Sequence, residues 1–236
     1  RQMCIRDRFC TRKGVIKKTK LEAYSRPRQN GVNAITIRED DQVIQVRLTT
    51  GDSQIIMANK HGRAIRFHES TVREMGRTAT GVRGMTLDET GDDEVIGMIC
   101  IKNPEKETVM VVSEQGYGKR SEIEDYRITN RGGKGVKTLN ITEKTGNLVA
   151  IKSVTDENDL VIINKSGITL RMKVADVRIM GRATQGVRLI NLEKRNDEIA
   201  SVCKVLSETE SDSSNSENKS IAMAIHLFSA AYRFPK

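Results

Sequence analysis

The sequence predicts an all-β fold of the β-propeller-like kind, built from repeated four-stranded blades in an incomplete ring, and three observations predict it. A Gly-Val pair recurs at Gly31-Val32, Gly81-Val82, Gly135-Val136 and Gly186-Val187, in steps of 50, 54 and 51 residues. A second set of glycines, Gly14, Gly62, Gly116 and Gly167, precedes the next Gly-Val by 17, 19, 19 and 19 residues. Within each period, apolar stretches of strand length alternate with turn-forming residues. Self-similarity at this spacing marks a repeat architecture, and four short antiparallel strands per period make one blade.

Taken in order, residues 1–8 match no repeat position and read as foreign or truncated sequence. The repeat body covers 9–206, with a half blade over 9–30, whole repeats over 31–80, 81–134 and 135–185, and a half blade over 186–206. The repeat that begins at Gly81 shows the pattern. Val82 to Leu87 reads as a strand, Asp88 to Asp93 as a turn, Val95 to Ile101 as a strand and Asn103-Pro104 as a turn. Thr108 to Val112 and Tyr117 to Ser121 are its last two strands, joined by Ser113-Glu114-Gln115-Gly116. Thr11-Arg12-Lys13-Gly14, Asn59-Lys60-His61-Gly62 and Asn164-Lys165-Ser166-Gly167 occupy the same place in the other copies. Glycine there supplies the positive φ that tight hairpin turns require. In 207–236, the serine-rich stretch carries Glu208, Glu210, Asp212 and Glu217 against Lys219, which reads as a disordered acidic tail before an end that matches no repeat.

Lysine and arginine total 40 against 31 acidic residues, a net charge of +9, so an acidic polymer is the natural partner. The chain has no tryptophan, which excludes the Trp-Asp and kelch propellers. Aromatic residues make up only 3%, against a reader of single strands or RNA, which stacks bases on aromatic platforms. Cys4, Cys10, Cys100 and Cys203 have no ligand spacing, and His61, His68 and His226 group with neither cysteines nor carboxylates. No metal site or disulfide framework is expected, and reduced thiols fit a cytoplasmic location. The apolar run from Ile221 to Ala231 is far short of the ~20 residues that span a bilayer. Gly116 to Ser121 lacks the spacing of a phosphate loop. No catalytic residue is assigned.

Alignment on the glycines turns the basic excess into a register. Four residues after each turn glycine stand Lys18, Arg66, Arg120 and Arg171. Four before three of the Gly-Val pairs stand Arg77, Arg131 and Arg182, with Arg26 and Arg28 near the same place in the first copy. Two after the same glycines stand Arg83, Lys137 and Arg188, where the first copy has Asn33. Equivalent positions in successive blades lie at equivalent places on the rim, so these cations should form a curved band suited to the phosphates of a bent duplex. Repeated cations also blunt exposed blade edges, and pattern alone leaves both readings open. In the loop Arg131-Gly132-Gly133-Lys134-Gly135, three glycines permit close backbone approach to phosphate while Arg131 and Lys134 supply charge.

Several blocks resemble the C-terminal domain family of the A subunits of DNA gyrase: Phe67 to Gly76, Thr80-Gly81-Val82-Arg83-Gly84, Gly116 to Arg120, and Ile179 to Val187. The resemblance runs over about 9–206. It implies a six-bladed β-pinwheel, a propeller variant that exchanges strands between blades and wraps duplex DNA round its rim, of which this chain resembles the third to sixth blades. It further implies an assembly with the gyrase B subunit, with the rest of the A subunit also present, in which ATP and Mg are used by other parts, so no cofactor is expected in this chain. Arg131 to Gly135 match the end of the family's Gln-Arg-Arg-Gly-Gly-Lys-Gly box, but Thr129 and Asn130 replace its Gln-Arg, and the segment lies in what resembles the fifth blade. The alternatives are a protein-interaction propeller and the corresponding domain of the A subunit of topoisomerase IV.

Overall fold

The computed structural model describes residues 5–89, 91–192 and 197–207. It is all-β, with four antiparallel sheets. In the first, the hairpin of β1 (Arg6–Thr11) and β2 (Val15–Lys20) is flanked by β3 (Val43–Thr49) on the β1 side and β6 (Val82–Arg83) on the β2 side. The second repeats this plan with hairpin β4 (Gln54–Asn59) and β5 (Arg63–His68), flanked by β7 (Val95–Ile101) and β10 (Val136–Lys137). The third has hairpin β8 (Thr108–Ser113) and β9 (Tyr117–Glu122), flanked by β11 (Leu148–Val154) and β14 (Val187–Arg188). The fourth has three described strands, β12 (Asn158–Asn164), β13 (Thr169–Lys173) and β15 (Ile199–Leu206). The flanking strands β3, β7, β11 and β15 pack side by side in that order and form the inner edge of the arc.

One part of the sequence-based reading needs correction. A Gly-Val pair does not open a blade. Its two-residue strand crosses to the outer edge of the preceding sheet, Val82 pairing with Ile16, Val136 with Ala64 and Val187 with Gly118. Each four-stranded sheet therefore takes strands from three successive repeats: the hairpin from one, the inner strand from the next and the two-residue outer strand from the one after that. The strand read as Val82 to Leu87 ends at Arg83 because the next amides turn onto the hairpin. Gly84 and Met85 both donate to the Gly14 carbonyl, at 2.8 and 3.2 Å, and Thr138 and Leu139 treat the Gly62 carbonyl the same way. Two constraints fix glycine at this turn. Gly62 has φ +75°, and a Cβ on it would meet the Leu139 carbonyl oxygen at 2.7 Å. Gly31-Val32 forms no strand.

The chain start also differs from the reading. Arg6, Asp7 and Arg8 belong to β1, aligned with Gln54, Ile55 and Ile56 of β4. Charged residues at these strand positions hid the match. Residues 208–236, including the acidic tail, lie outside the described residues.

The core lies between sheets, since a single blade cannot bury both of its faces alone. Cys10 and Ile16 of the first sheet meet Ile55, Met57 and Phe67 of the second. Ile56, Ile99 and Leu139 meet Val109 and Val111, and Met110 and Val112 meet Leu160, Ile162 and Val202. One joint breaks the pattern. Ile56 faces Ile123 and Met110 faces Val174 at the second and third joints, whereas the same place at the first holds Arg8 and Glu69, both completely buried.

Candidate nucleic-acid interface

The three arginines before the Gly-Val pairs occupy equivalent places. Arg77 donates to the Asn33 carbonyl at 3.2 Å, Arg131 to the Arg83 carbonyl at 3.0 Å and Arg182 to the Lys137 carbonyl at 2.9 Å. The acceptors are the residues two beyond the preceding Gly, so one contact recurs three times and ties the two basic registers together. A bond to a carbonyl holds the guanidinium in place without neutralising it. Arg83, Lys137 and Arg188 end the outermost strands and are exposed. Arg188 also contacts Tyr117, donating to its hydroxyl at 3.1 Å with the guanidinium 5.6 Å from the ring centre. Arg26 and Arg28 are exposed in the loop before Gly31.

The glycine loop joins this band. Arg131 is held at Nε by the Thr71 carbonyl at 3.0 Å, the Gly132 amide donates to the Gly84 carbonyl at 2.7 Å, and Gly132 and Gly135 have φ of +88° and +74°. Gly133 and Lys134 are exposed. Together with Arg127, Asn130 and Gly135 they line a crevice of about 340 Å³, open enough for a phosphate and edged by cations.

The register four residues past the turn glycines is corrected. Lys18, Arg66 and Arg120 are buried, at 8%, 6% and 4% exposure, so they do not belong to a surface band. Each crosses to the 3-10 turn of the next sheet. Lys18 donates to the Glu69 carbonyl at 3.2 Å, Arg66 to those of Ile123 and Tyr126 at 2.7 and 2.9 Å, and Arg120 to that of Val174 at 3.2 Å. Buried away from water, each cation needs acceptors, and these carbonyls supply them. These residues tie blade to blade. Arg171, the fourth of the set, is exposed and pairs with Asp159 at 2.9 Å.

Two groups escaped the sequence reading. Arg73, Arg127 and Arg178 are exposed and stand four residues before Arg77, Arg131 and Arg182. The same repeat offset could have found them. Lys119 is the other: it is fully buried, and its ammonium donates to the Gly181 carbonyl at 2.8 Å, to the Arg182 carbonyl and to the Thr184 hydroxyl at 3.3 Å. It holds the loop that presents Arg182. Lys17, its counterpart in the first sheet, donates instead to the Ala34 carbonyl at 2.7 Å, next to the Asn33 that receives Arg77.

Burial pushes the Lys119 pKa down to about 8, with the Asp125 carboxylate opposing the shift and Arg182 adding to it. A lysine depressed in the folded state holds fewer protons there than in the unfolded chain between about pH 8 and 10.4, so its burial penalty is relieved as pH rises through that window. Relative to Lys119→Met, the wild-type chain should gain about 2 kcal/mol of unfolding free energy between pH 7 and pH 9.5. Urea denaturation at the two pH values measures this, and a constant difference would contradict it.

Among the described residues, no helix is long and apolar enough to cross a membrane. The chain is similar to the DNA gyrase A subunit of Staphylococcus aureus, 47% identical over 212 residues, which are 90% of this chain and 23% of that protein. It thus spans about a quarter of the length of the curated relatives it matches. Among solved structures it is similar to the C-terminal domain of a DNA topoisomerase IV (TM-score 0.82, 26% identity, covering 95% of this chain and 68% of that one). It is also similar to a DNA gyrase A C-terminal domain (TM-score 0.76, 26% identity, covering 87% and 67%). Residues 9–50, 53–102, 107–155 and 158–203 match the family described as the DNA gyrase C-terminal domain, beta-propeller. Strand exchange, blade pattern and sequence agree, and the chain belongs to this family.

Proposed function

We propose that this chain binds duplex DNA without reading its sequence and curves it along the outer blade edges. In this reading it is the wrapping part of the A subunit of a gyrase, an ATP-dependent type II topoisomerase that supercoils DNA in the cytoplasm. Its partners are duplex DNA, the gyrase B subunit, plus the rest of the A subunit. The recurring guanidinium-to-carbonyl contact of Arg77, Arg131 and Arg182, beside the exposed Arg83, Lys137 and Arg188, is the observation that carries this. Cations spaced by blade geometry meet phosphates and ignore base edges. The cost of bending is offset by many such contacts.

The similarity to the topoisomerase IV domain supports a second reading, in which the same band presents DNA without wrapping it strongly. Two measurements separate the possibilities. Affinity for a long duplex should fall roughly 10³-fold or more between 50 and 200 mM salt if about six phosphates are engaged. Sealing a nicked circle with the chain bound should then change its linking number. Salt-dependent binding without a linking change would favour presentation, and salt-insensitive binding would favour an interaction module.

A further inference from the structure

The turn of the β4–β5 hairpin carries His61, and the fold lays it against Asp88, Asp92 and Asp93, just ahead of β7. His61 Nδ1 lies 3.5 Å from Asp88 Oδ2 and 3.9 Å from Asp93 Oδ1, and the three ligand atoms fall within 4.8 Å of one another. The Asp93 side chain is fully enclosed. Its Oδ2 accepts from Asn59 Nδ2 at 2.6 Å and from the Asp88 amide at 3.0 Å, but its buried Oδ1 has no hydrogen-bond partner. An enclosed carboxylate oxygen left without a partner costs free energy unless something else meets it.

The fourth blade provides a contrast. Asn164-Lys165-Ser166-Gly167 repeats Asn59-Lys60-His61-Gly62, and the Lys165 amide bonds the Glu198 carbonyl at 2.8 Å as the Lys60 amide bonds that of Glu94. There Ser166 donates to Asp197 Oδ2 at 2.5 Å, so the hydroxyl meets the carboxylate directly. In the second blade an imidazole replaces the hydroxyl and a second carboxylate, Asp88, stands beside it. A hydrogen-bonding joint has become a set of metal-ligand donors.

We infer that His61 Nδ1, Asp88 and Asp93 bind a divalent transition-metal ion of the zinc type. Bonds of about 2.0–2.2 Å to nitrogen and oxygen in a tetrahedron put neighbouring ligand atoms about 3.4 Å apart, so the two His61 spacings need contract by at most about half an ångström, and the Asp88–Asp93 spacing, within 4.8 Å, closes by movement of the more exposed Asp88. The other imidazole nitrogen is oriented as such sites require. Nε2 lies 3.4 Å from Asp92 Oδ1, and a metal-bound histidine ordinarily gives its second N–H to a carboxylate. Lys60 approaches the other Asp92 oxygen at 3.9 Å. Three protein ligands leave one position for water. The ion would clamp a hairpin turn to the segment feeding the inner strand of the same blade.

The test is calorimetric titration of the 236-residue chain with zinc chloride after chelator treatment, with a thermal melt of the same samples. One equivalent should bind, and a 100-fold excess over Kd should raise Tm by about 5 °C or more. His61→Ser installs the residue that the fourth blade uses, so it should keep its metal-free Tm while losing at least about 10-fold in zinc affinity. Asp88→Asn is a second variant at a less buried position and should also lose affinity. Magnesium should bind far more weakly, because the site offers a nitrogen donor and few oxygens. Absence of saturable binding, equal binding by magnesium, or unchanged zinc binding in both variants, which would assign the metal to the free thiols, would overturn the assignment.

Discussion

Replacing Arg83, Lys137 and Arg188 together by glutamine should lower duplex affinity on the order of 10²-fold at moderate salt and reduce the slope of log affinity against log salt by about 3. The three side chains end the outermost strands of three successive sheets and are exposed, so their loss removes charge without opening the core. Each phosphate contact that disappears keeps about one counterion on the DNA, which is what the slope counts. Lys13, Lys102 and Lys106 are also exposed and lie outside these strands, so their replacement by glutamine is the matched control for net charge. If affinity followed net charge alone, the two triple variants would fall equally, and the band would have no special role. The arginines behind the band make a different prediction. Arg131→Lys keeps the charge but loses the fork that spans the Thr71 and Arg83 carbonyls. Its affinity should fall with little change in salt slope.

Much of the fold could be read from glycines, because the physical demands on them recur with the blade. The hairpin turns were legible for that reason, and so were the strands whose apolar residues recur in the same place of each period. Strand exchange was implied by the family resemblance, but the residues that exchange were not legible. Val82 and Arg83 look like the start of the strand that follows them, and only the three-dimensional edge of the previous sheet shows where they belong. The band was half legible. Register found Arg77, Arg131 and Arg182, but register is blind to depth, and it grouped Lys18, Arg66 and Arg120 with surface cations although their side chains run inward to the next 3-10 turn. The approach of His61 to Asp88 and Asp93 spans 27 and 32 residues, and nothing in local spacing signals it.

Removing Glu69 alone should destabilise the chain by about 3–5 kcal/mol, while exchanging it together with Arg8 should recover most of that loss. Arg8 and Glu69 form an ion pair at 0% exposure in the joint between the first and second sheets. Burial raises the pKa of the Glu69 carboxyl, but the Thr49 hydroxyl at 2.6 Å, the Ser53 amide at 2.7 Å and Arg8 outweigh it, and the net shift is downward. Stability from that depression is present above the unfolded carboxyl pKa, about 4.3, and is lost as pH falls through the lower folded value. Glu69→Ala leaves a buried guanidinium without its counter-charge, which is the source of the large single-site cost. The neighbouring joints show what the same place accepts, since Ile56 with Ile123 and Met110 with Val174 fill it with carbon. Arg8→Ile with Glu69→Ile would copy the second joint, at the cost of leaving the Thr49 hydroxyl and Ser53 amide without Glu69, so recovery should be large but incomplete. A double-mutant cycle by urea denaturation should give a coupling of at least about 3 kcal/mol. Additive losses would mean that the pair does not hold the first blade to the second, and that the joint relies on Cys10, Ile16 and the apolar contacts around them.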